Sequence, residues 1–396
     1  MTDLNSPFES KKVGTSSLEI KNSFIKSATF EGLCPDGEPS KKLIEHHARL
    51  AKGGVGLTTV SYGAVSENGR TFKDQLHIRE DQSEVYRKLS SAVHKAGGKI
   101  SMQLTHCGYF SKNRKGRPIL APSRVFNAYG LLAGLPFSKA MTEENMVQVK
   151  EDFGRSALLL KKCGFDAVEI HMGHGYLLSQ FLSPLTNKRN DSFGGSIKNR
   201  SKFPLIVVKE VISRVGKDFP VIVKLNLSDG VEGGFSIDDS IYVAKGLEKI
   251  GCSAIVLSGG FTSKTPFYMM RGAIPIKGMI KYADSLAEKL TFMLFGKAII
   301  KEFSFTPNFF LNQALQIKKQ VNIDLAYLGG VESIDDINQI VKLGFKFIAM
   351  ARPLIHDPDF IDNLENGSVS KTACNRCNEC IVEMNKNHGV RCVLID

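Results

Sequence analysis

Eight short runs of β-branched and apolar residues alternate along the chain with longer segments of helical period, and this rhythm limits the available folds more than any other feature. The runs cover residues 24–29, 55–60, 99–104, 167–171, 221–227, 254–258, 324–328 and 347–351. Between them, Ser40 can cap a helix that runs through Leu43 and Leu50 to a stop at Gly53 and Gly54. Asp81 opens a second helix, closed by Gly97 and Gly98. From Thr142, the residues Met146, Val149, Phe153, Ala157 and Leu160 step by three or four into one buried stripe. Ser236 opens a further helix, and Ser333 with Asp336 has capping-box spacing ahead of Ile337, Ile340 and Val341.

Strands alternating with helices allow an open doubly wound sheet or a closed (β/α)8 barrel. The count of eight favours closure, and no GxGxxG turn follows the first strand, as a dinucleotide-binding open sheet would require. The expected fold is therefore α/β, a TIM barrel over residues 1–366 with a short Cys-rich C-terminal extension over 367–396. Long stretches after the third, fourth and sixth strands leave the C-terminal ends of strands, where barrel enzymes carry their chemistry. The 131–137 patch in the first of these stretches reads either as a lid or as a packed surface loop.

No apolar run approaches the roughly 18 residues that cross a bilayer, and the first twenty residues lack an apolar signal core. The expectation is a cytoplasmic protein with no membrane partner, in which a homo-oligomer is allowed. The formal charge of +12 is spread along the whole chain without a basic block, so nucleic acid is not the expected partner. A phosphorylated cofactor or an acidic substrate would use the same field.

The densest chemical constellation closes the fourth strand, where Glu169-Ile170-His171-Met172-Gly173-His174-Gly175-Tyr176 sets two His and a Tyr within six residues. Two imidazole N–H groups can grip one carbonyl or phenolate oxygen, and a phenol can protonate a developing carbanion. A metal pair, or His packed in a polar core, is the plainer alternative. Gly329 and Gly330 follow the seventh strand, and Ala351-Arg352-Pro353 ends the eighth, a pairing from which barrels build phosphate sites. An ordinary turn and a surface ion pair are the alternatives there. Gln103 and Lys224 interrupt apolar strands, pointing either inward toward an anionic ligand or outward at the helix seam.

These residues carry a resemblance. The stretches Ser27-Ala28-Thr29, Gln103-Leu104-Thr105-His106, Gly164-Phe165-Asp166 and Glu169 to Tyr176 resemble the Old Yellow Enzyme (NADH:flavin oxidoreductase) family. So do Gln180-Phe181-Leu182-Ser183-Pro184, Asn187-Lys188-Arg189, Gly194-Gly195-Ser196, Asn199-Arg200, Gly329-Gly330 and Ala351 to Ile355. The branch it looks closest to holds the 2,4-dienoyl-CoA reductases. The resemblance implies FMN as cofactor and NAD(P)H as co-substrate. It places Ala28, Thr29, Tyr62, Gln103, His171 and Lys224 about the flavin ring, and Gly329, Gly330, Ala351 and Arg352 about its phosphate. His171 and His174 would bind the substrate oxygen, and Tyr176 would be the proton donor. The implied reaction is ene-reduction, with hydride passing from NAD(P)H through flavin N5 to the C=C of an α,β-unsaturated carbonyl or enoyl compound. An amine dehydrogenase or demethylase, passing electrons through a C-terminal cluster to a carrier, is the alternative.

Two departures stand out. No His follows the sixth strand near Ser258-Gly259-Gly260-Phe261-Thr262, where the dienoyl-CoA reductases have a second acid–base residue. Phe30 and Glu31 stand where some relatives carry a redox-tuning Cys. Cys374, Cys377, Cys380 and Cys392 form C-x2-C-x2-C-x11-C, a spacing compatible with a [4Fe-4S] cluster, with zinc, or with free thiols. In the cluster-bearing relatives the chain continues into further domains, whereas this one stops at Asp396, so its own electron partner is expected to be missing.

Overall fold

In the computed structural model, which describes residues 6–283 and 285–395, all eight expected strands form and pair in parallel as one closed barrel. They are β1 (Phe24–Lys26), β2 (Leu57–Ala64), β3 (Lys99–Thr105) and β4 (Ala167–Met172), then β5 (Val221–Asn226), β6 (Ala254–Ser258), β7 (Asp324–Tyr327) and β8 (Phe347–Met350). Each pairs with its neighbour in sequence, and β8 closes on β1 through Ile348 and Phe24. The second strand departs most from expectation. It continues past Val60 to Ala64 after a register shift against β3, and this extension carries Tyr62 to the barrel mouth.

The caps read in the sequence are made. Ser40 Oγ accepts the Leu43 N–H at the start of α1 (Lys41–Lys52), and Gly53 follows its last residue. Reciprocal capping boxes start α3 (Glu143–Lys162) at Thr142 and Asn145, α5 (Ile237–Lys249) at Ser236 and Asp239, and α7 (Ile334–Lys342) at Ser333 and Asp336. The helices α2 (Ser83–Lys95), α4 (Lys202–Val215) and α6 (Leu311–Lys318) complete this outer series.

Period-two alternation divides each strand between two environments. Val168, Ile170, Val223, Leu225, Ile255 and Leu257 join the large apolar cluster shared with the helices. The opposite parity faces the barrel axis and changes character with height. Ile25, Leu57, Ala167, Ile222, Ala254, Val256 and Ala326 form an apolar lower layer, plugged by Val13 and Ile20 of an N-terminal hairpin. One or two steps further along the same parity come Thr59, Gln103, Glu169, His171, Lys224, Asn226 and Ser258, all buried. The barrel is thus dry at its N-terminal end and polar at the C-terminal end, which fixes where chemistry can occur. Among the described residues, no helix is long and apolar enough to cross a membrane.

Candidate active site

A cavity of about 390 Å³ opens at the polar end. Ala28, Thr29, Tyr62, Gln103, His171, His174, Tyr176, Lys224, Ala351 and Arg352 all line it, so residues spread over the whole barrel sequence converge on one site. Gly329 and Gly330 line a smaller recess of about 60 Å³, which shares Met269, Leu328, Ala351 and Arg352 with the main cavity. Their φ values of 143° and 81° suit glycine. A Cβ on Gly330 would also lie 2.8 Å from the Phe309 ring.

One carboxylate organises the floor. Glu169 Oε1 accepts the Gln103 Nε2–H at 2.6 Å and lies 3.1 Å from Lys224 Nζ, which also donates to Ser27 Oγ at 3.2 Å. Strand register brings this about, since Gln103 sits opposite Glu169 and Lys224 opposite His171. Both Gln103 and Lys224 therefore point inward, which settles the alternative left open by periodicity. The amide and the ammonium are held in one orientation, and an ammonium 1 % exposed needs such a counter-charge.

Lys26, in β1, is the other buried lysine among the described residues. It pairs with the Glu31 carboxylate and donates to Thr59 O at 3.2 Å, while Glu31 Oε2 accepts the Ser61 N–H at 3.1 Å. Glu31 thus ties the first loop to β2 and fixes the backbone that presents Thr29 and Phe30 to the cavity.

The two histidines meet edge to face with ring centroids 4.9 Å apart, and the Tyr176 ring lies 4.6 Å from His171. His174 takes φ +57°, and its N–H donates to Asn226 Oδ1 at 3.1 Å. A left-handed non-glycine residue at a site is strain held by its surroundings. His171 Nδ1 accepts the Gly173 N–H at 3.3 Å, which places the imidazole proton on Nε2. His174 Nε2 pairs with Ser258 Oγ at 2.7 Å. Burial, then its neighbours His174 and Lys224, drives His171 well below 6.5. Burial, then Lys224, takes His174 down to about 3. Both rings are neutral hydrogen-bonding groups at ordinary pH. Burial, followed by the facing Tyr62 hydroxyl, holds Tyr176 well above 10, so it keeps its proton.

The C-terminal extension forms part of the cavity wall. Asn378, Cys380, Ile381, Met384 and Val390 line it. Arg352 Nη1 donates to Asn378 Oδ1 at 2.9 Å and to Arg271 O at 2.8 Å, while Asn378 Nδ2 donates to Ala273 O at 2.9 Å. Asn378 of the extension therefore braces Arg352. Glu169 could have been found in the sequence from its two-residue spacing to His171, and Asn226 from the same spacing to Lys224. Asn378 and the wall residues carried no such signal, because their placement depends on how the extension folds back.

The lining suits a flavin mononucleotide. A buried ammonium and an amide line the same space as the aromatic residues Phe30, Tyr62 and Tyr176, and a recess with two glycines and an arginine adjoins it. The four C-terminal cysteines lie near one another, with Cys374 and Cys380 beside Arg352. Among the described residues, no three of His, Cys, Asp or Glu gather as metal ligands. Cys392 Sγ lies 3.3 Å from His356 Nδ1, and burial, reinforced by the neighbouring Cys374, Cys377 and Cys392 against the pull of Arg352, pushes the Cys380 thiol up to about 12.

Fold and site together define a barrel of the flavin-dependent oxidoreductase type, with two neutral imidazoles and a protonated phenol at its polar mouth. Residues 7–260 match the model of the NADH:flavin oxidoreductase / NADH oxidase family, and the chain belongs to that family. It is a flavin-dependent enzyme that works with NAD(P)H. The chain is 36 % identical over 393 residues to 4,4'-dithiodibutanoate disulfide reductase of Rhodococcus erythropolis, covering 98 % of this chain and 95 % of the relative. Its fold resembles 2-naphthoyl-CoA reductase in complex with 2-naphthoyl-CoA, at TM-score 0.82 and 21 % identity, covering 99 % of this chain and 57 % of that one. It also resembles the Old Yellow Enzyme homologue from Zymomonas mobilis, at TM-score 0.72 and 21 % identity, covering 94 % and 96 %.

Proposed function

We propose that the protein is an FMN-dependent ene-reductase acting on α,β-unsaturated carbonyl compounds. The observation that carries this reading is the paired neutral imidazoles of His171 and His174 beside a protonated Tyr176, all facing one cavity. Lys224 and Gln103 would hold the flavin ring, and Gly329, Gly330, Ala351 and Arg352 its phosphate. FMN held there would supply the one piece of chemistry the side chains lack, transfer of a hydride equivalent from NAD(P)H to the substrate.

The histidines bind the carbonyl oxygen and strengthen their hydrogen bonds as negative charge grows on it. Tyr176 delivers a proton to the carbon next to the carbonyl. Because its proton stays in place to high pH, transfer requires the charge that builds on the substrate, and this restricts it to activated double bonds. Tyr62, Phe30 and Phe110 exclude water from that step.

The test is reaction of the anaerobically reduced protein with 2-cyclohexenone. Rapid reoxidation with formation of cyclohexanone supports the reading, and no reaction with any activated alkene refutes it. A second reading takes an organic disulfide as oxidant, favoured by 36 % identity over nearly the full length of both chains to a disulfide reductase. Parallel assays with 4,4'-dithiodibutanoate separate the two. Amine dehydrogenation has less support, because Lys224 and Arg352 line the cavity and the Glu169 carboxylate beneath it is already taken up by Lys224 and Gln103, an unfavourable setting for an ammonium group. The four C-terminal cysteines enter the proposal as thiols outside the reaction. An iron, sulfide and zinc inventory decides whether they hold a cluster, a zinc ion or nothing.

A further inference from the structure

His174 is tied into the fold through its backbone on both sides. Its N–H donates to Asn226 Oδ1 at 3.1 Å, and its carbonyl accepts the Thr262 N–H at 3.0 Å. Asn226 is held in turn, because its Nδ2 donates to Gly260 O at 2.8 Å and to Asp229 Oδ1 at 3.1 Å. Asp229 is 0 % exposed, and its other oxygen accepts the Ser183 hydroxyl at 2.6 Å and the Phe235 N–H at 2.9 Å. The backbone under the imidazole is thus fixed by a polar chain outside the cavity, and the edge-to-face contact with His171 sets the ring. The remaining freedom is which ring nitrogen carries the proton.

Ser258, at the end of β6, answers that. It borders the cavity yet is 0 % exposed, and among the described residues its hydroxyl has one hydrogen-bond partner, His174 Nε2 at 2.7 Å. A buried hydroxyl that donates to nothing costs free energy, and a neutral imidazole offers one acceptor nitrogen. The Ser258 O–H therefore donates to Nε2, which leaves the His174 proton on Nδ1. That nitrogen makes no hydrogen bond among the described residues, and His174 lines the cavity. His171 is arranged the other way round, with Nδ1 accepting the Gly173 N–H and Nε2 carrying the proton.

We propose that Ser258 is a positioning residue that locks His174 as its Nδ1–H tautomer, so that the pair meets a substrate with two unlike donors, Nε2–H of His171 and Nδ1–H of His174. Neither ring then turns an acceptor toward the cavity. Such a pair takes an oxygen that brings lone pairs, a carbonyl or a phenolate, and turns away a group that can only donate, such as an ammonium. In the other tautomer His174 would present a lone pair at Nδ1 and repel the same oxygen. The inference rests on the ene-reductase reading and adds the residue that fixes the protonation pattern selecting its substrate class.

The test is nitrogen NMR of the flavin-loaded protein, isotopically labelled in histidine, with the His174 signals assigned by their loss in His174→Asn. The unmodified protein should show His174 protonated at Nδ1 and His171 at Nε2. Ser258→Ala should shift His174 toward the Nε2–H form, whereas Ser258→Thr, which keeps the hydroxyl, should preserve Nδ1–H. In parallel, binding of 4-nitrophenolate, followed through the flavin spectrum, should weaken about tenfold or more in Ser258→Ala and recover in Ser258→Thr. A His174 proton on Nε2 in the unmodified protein would overturn the proposal, and that measurement needs no substitution at Ser258. So would a tautomer indifferent to Ser258→Ala, even if phenolate binding fell. A protein with the expected tautomers that ignores activated alkenes would leave the role of Ser258 standing and refute the ene-reductase reading instead.

Discussion

Glu169 and Lys224 form a buried ion pair at 3.1 Å across adjacent barrel strands, and the same carboxylate oxygen also takes the Gln103 amide. Removing one partner of such a pair leaves an uncompensated buried charge, at a cost of about 3–5 kcal/mol. Glu169→Ala should therefore lower the unfolding midpoint markedly in the flavin-free protein. A negative cofactor edge near Lys224 would replace part of the lost charge, so saturating FMN should recover part of the loss. Thermal unfolding with and without FMN measures both effects.

Tyr176 is the proton donor of the account, and Tyr176→Phe keeps its ring while deleting the hydroxyl. The rate at which an enone reoxidises the reduced protein should fall by about 10²- to 10⁴-fold. Flavin reduction by NAD(P)H should stay near its unmodified rate, because no proton from Tyr176 enters that half. Stopped-flow absorbance resolves the halves, and an equal fall in both would remove Tyr176 from the donor role.

In the proposed reaction His171 and His174 act through neutral N–H groups. Replacing either with Ala should cost about 10²- to 10³-fold in enone reduction, as for other lost oxyanion donors. Replacing both should abolish binding of phenols, followed through the flavin spectrum.

The same assignment has a pH signature. With His174 lowered to about 3 and His171 also well below 6.5, neither ring gains a proton as pH falls from 8 to 5. Tyr176, held well above 10, loses none as pH rises to 9. Enone reduction by the reduced protein should be flat between these limits, and a limb near 6.5 would show that an imidazolium participates.

Asn378 links the C-terminal extension to Arg352. Asn378→Ala deletes a hydrogen bond to a charged group, worth about 1.5–3 kcal/mol, and frees the guanidinium to move. FMN should bind about 10- to 100-fold more weakly, read by the return of free flavin fluorescence. The rate constant for enone reduction at saturating FMN should change little.

Much of the barrel could be read in the sequence because each strand and each helix cap is a local pattern. Ser333 with Asp336, and Val168 alternating with Glu169, contain their own instructions. Gln103 and Lys224 were visible as polar residues in apolar strands, but only the register across β3, β4 and β5 showed that both point inward. Glu169 was readable in principle, as a charge two residues before His171, yet its partners lie on neighbouring strands. Asn378 was not readable, because long-range folding of a loop decides what it touches.

The central claim is that the mouth of this barrel holds a reducible flavin. Its most direct test is the visible absorbance spectrum of the purified protein after FMN reconstitution, before and after anaerobic NAD(P)H. The account predicts flavin bands at one FMN per chain that bleach on NAD(P)H addition and return with 2-cyclohexenone. A colourless protein that takes up no FMN would contradict it.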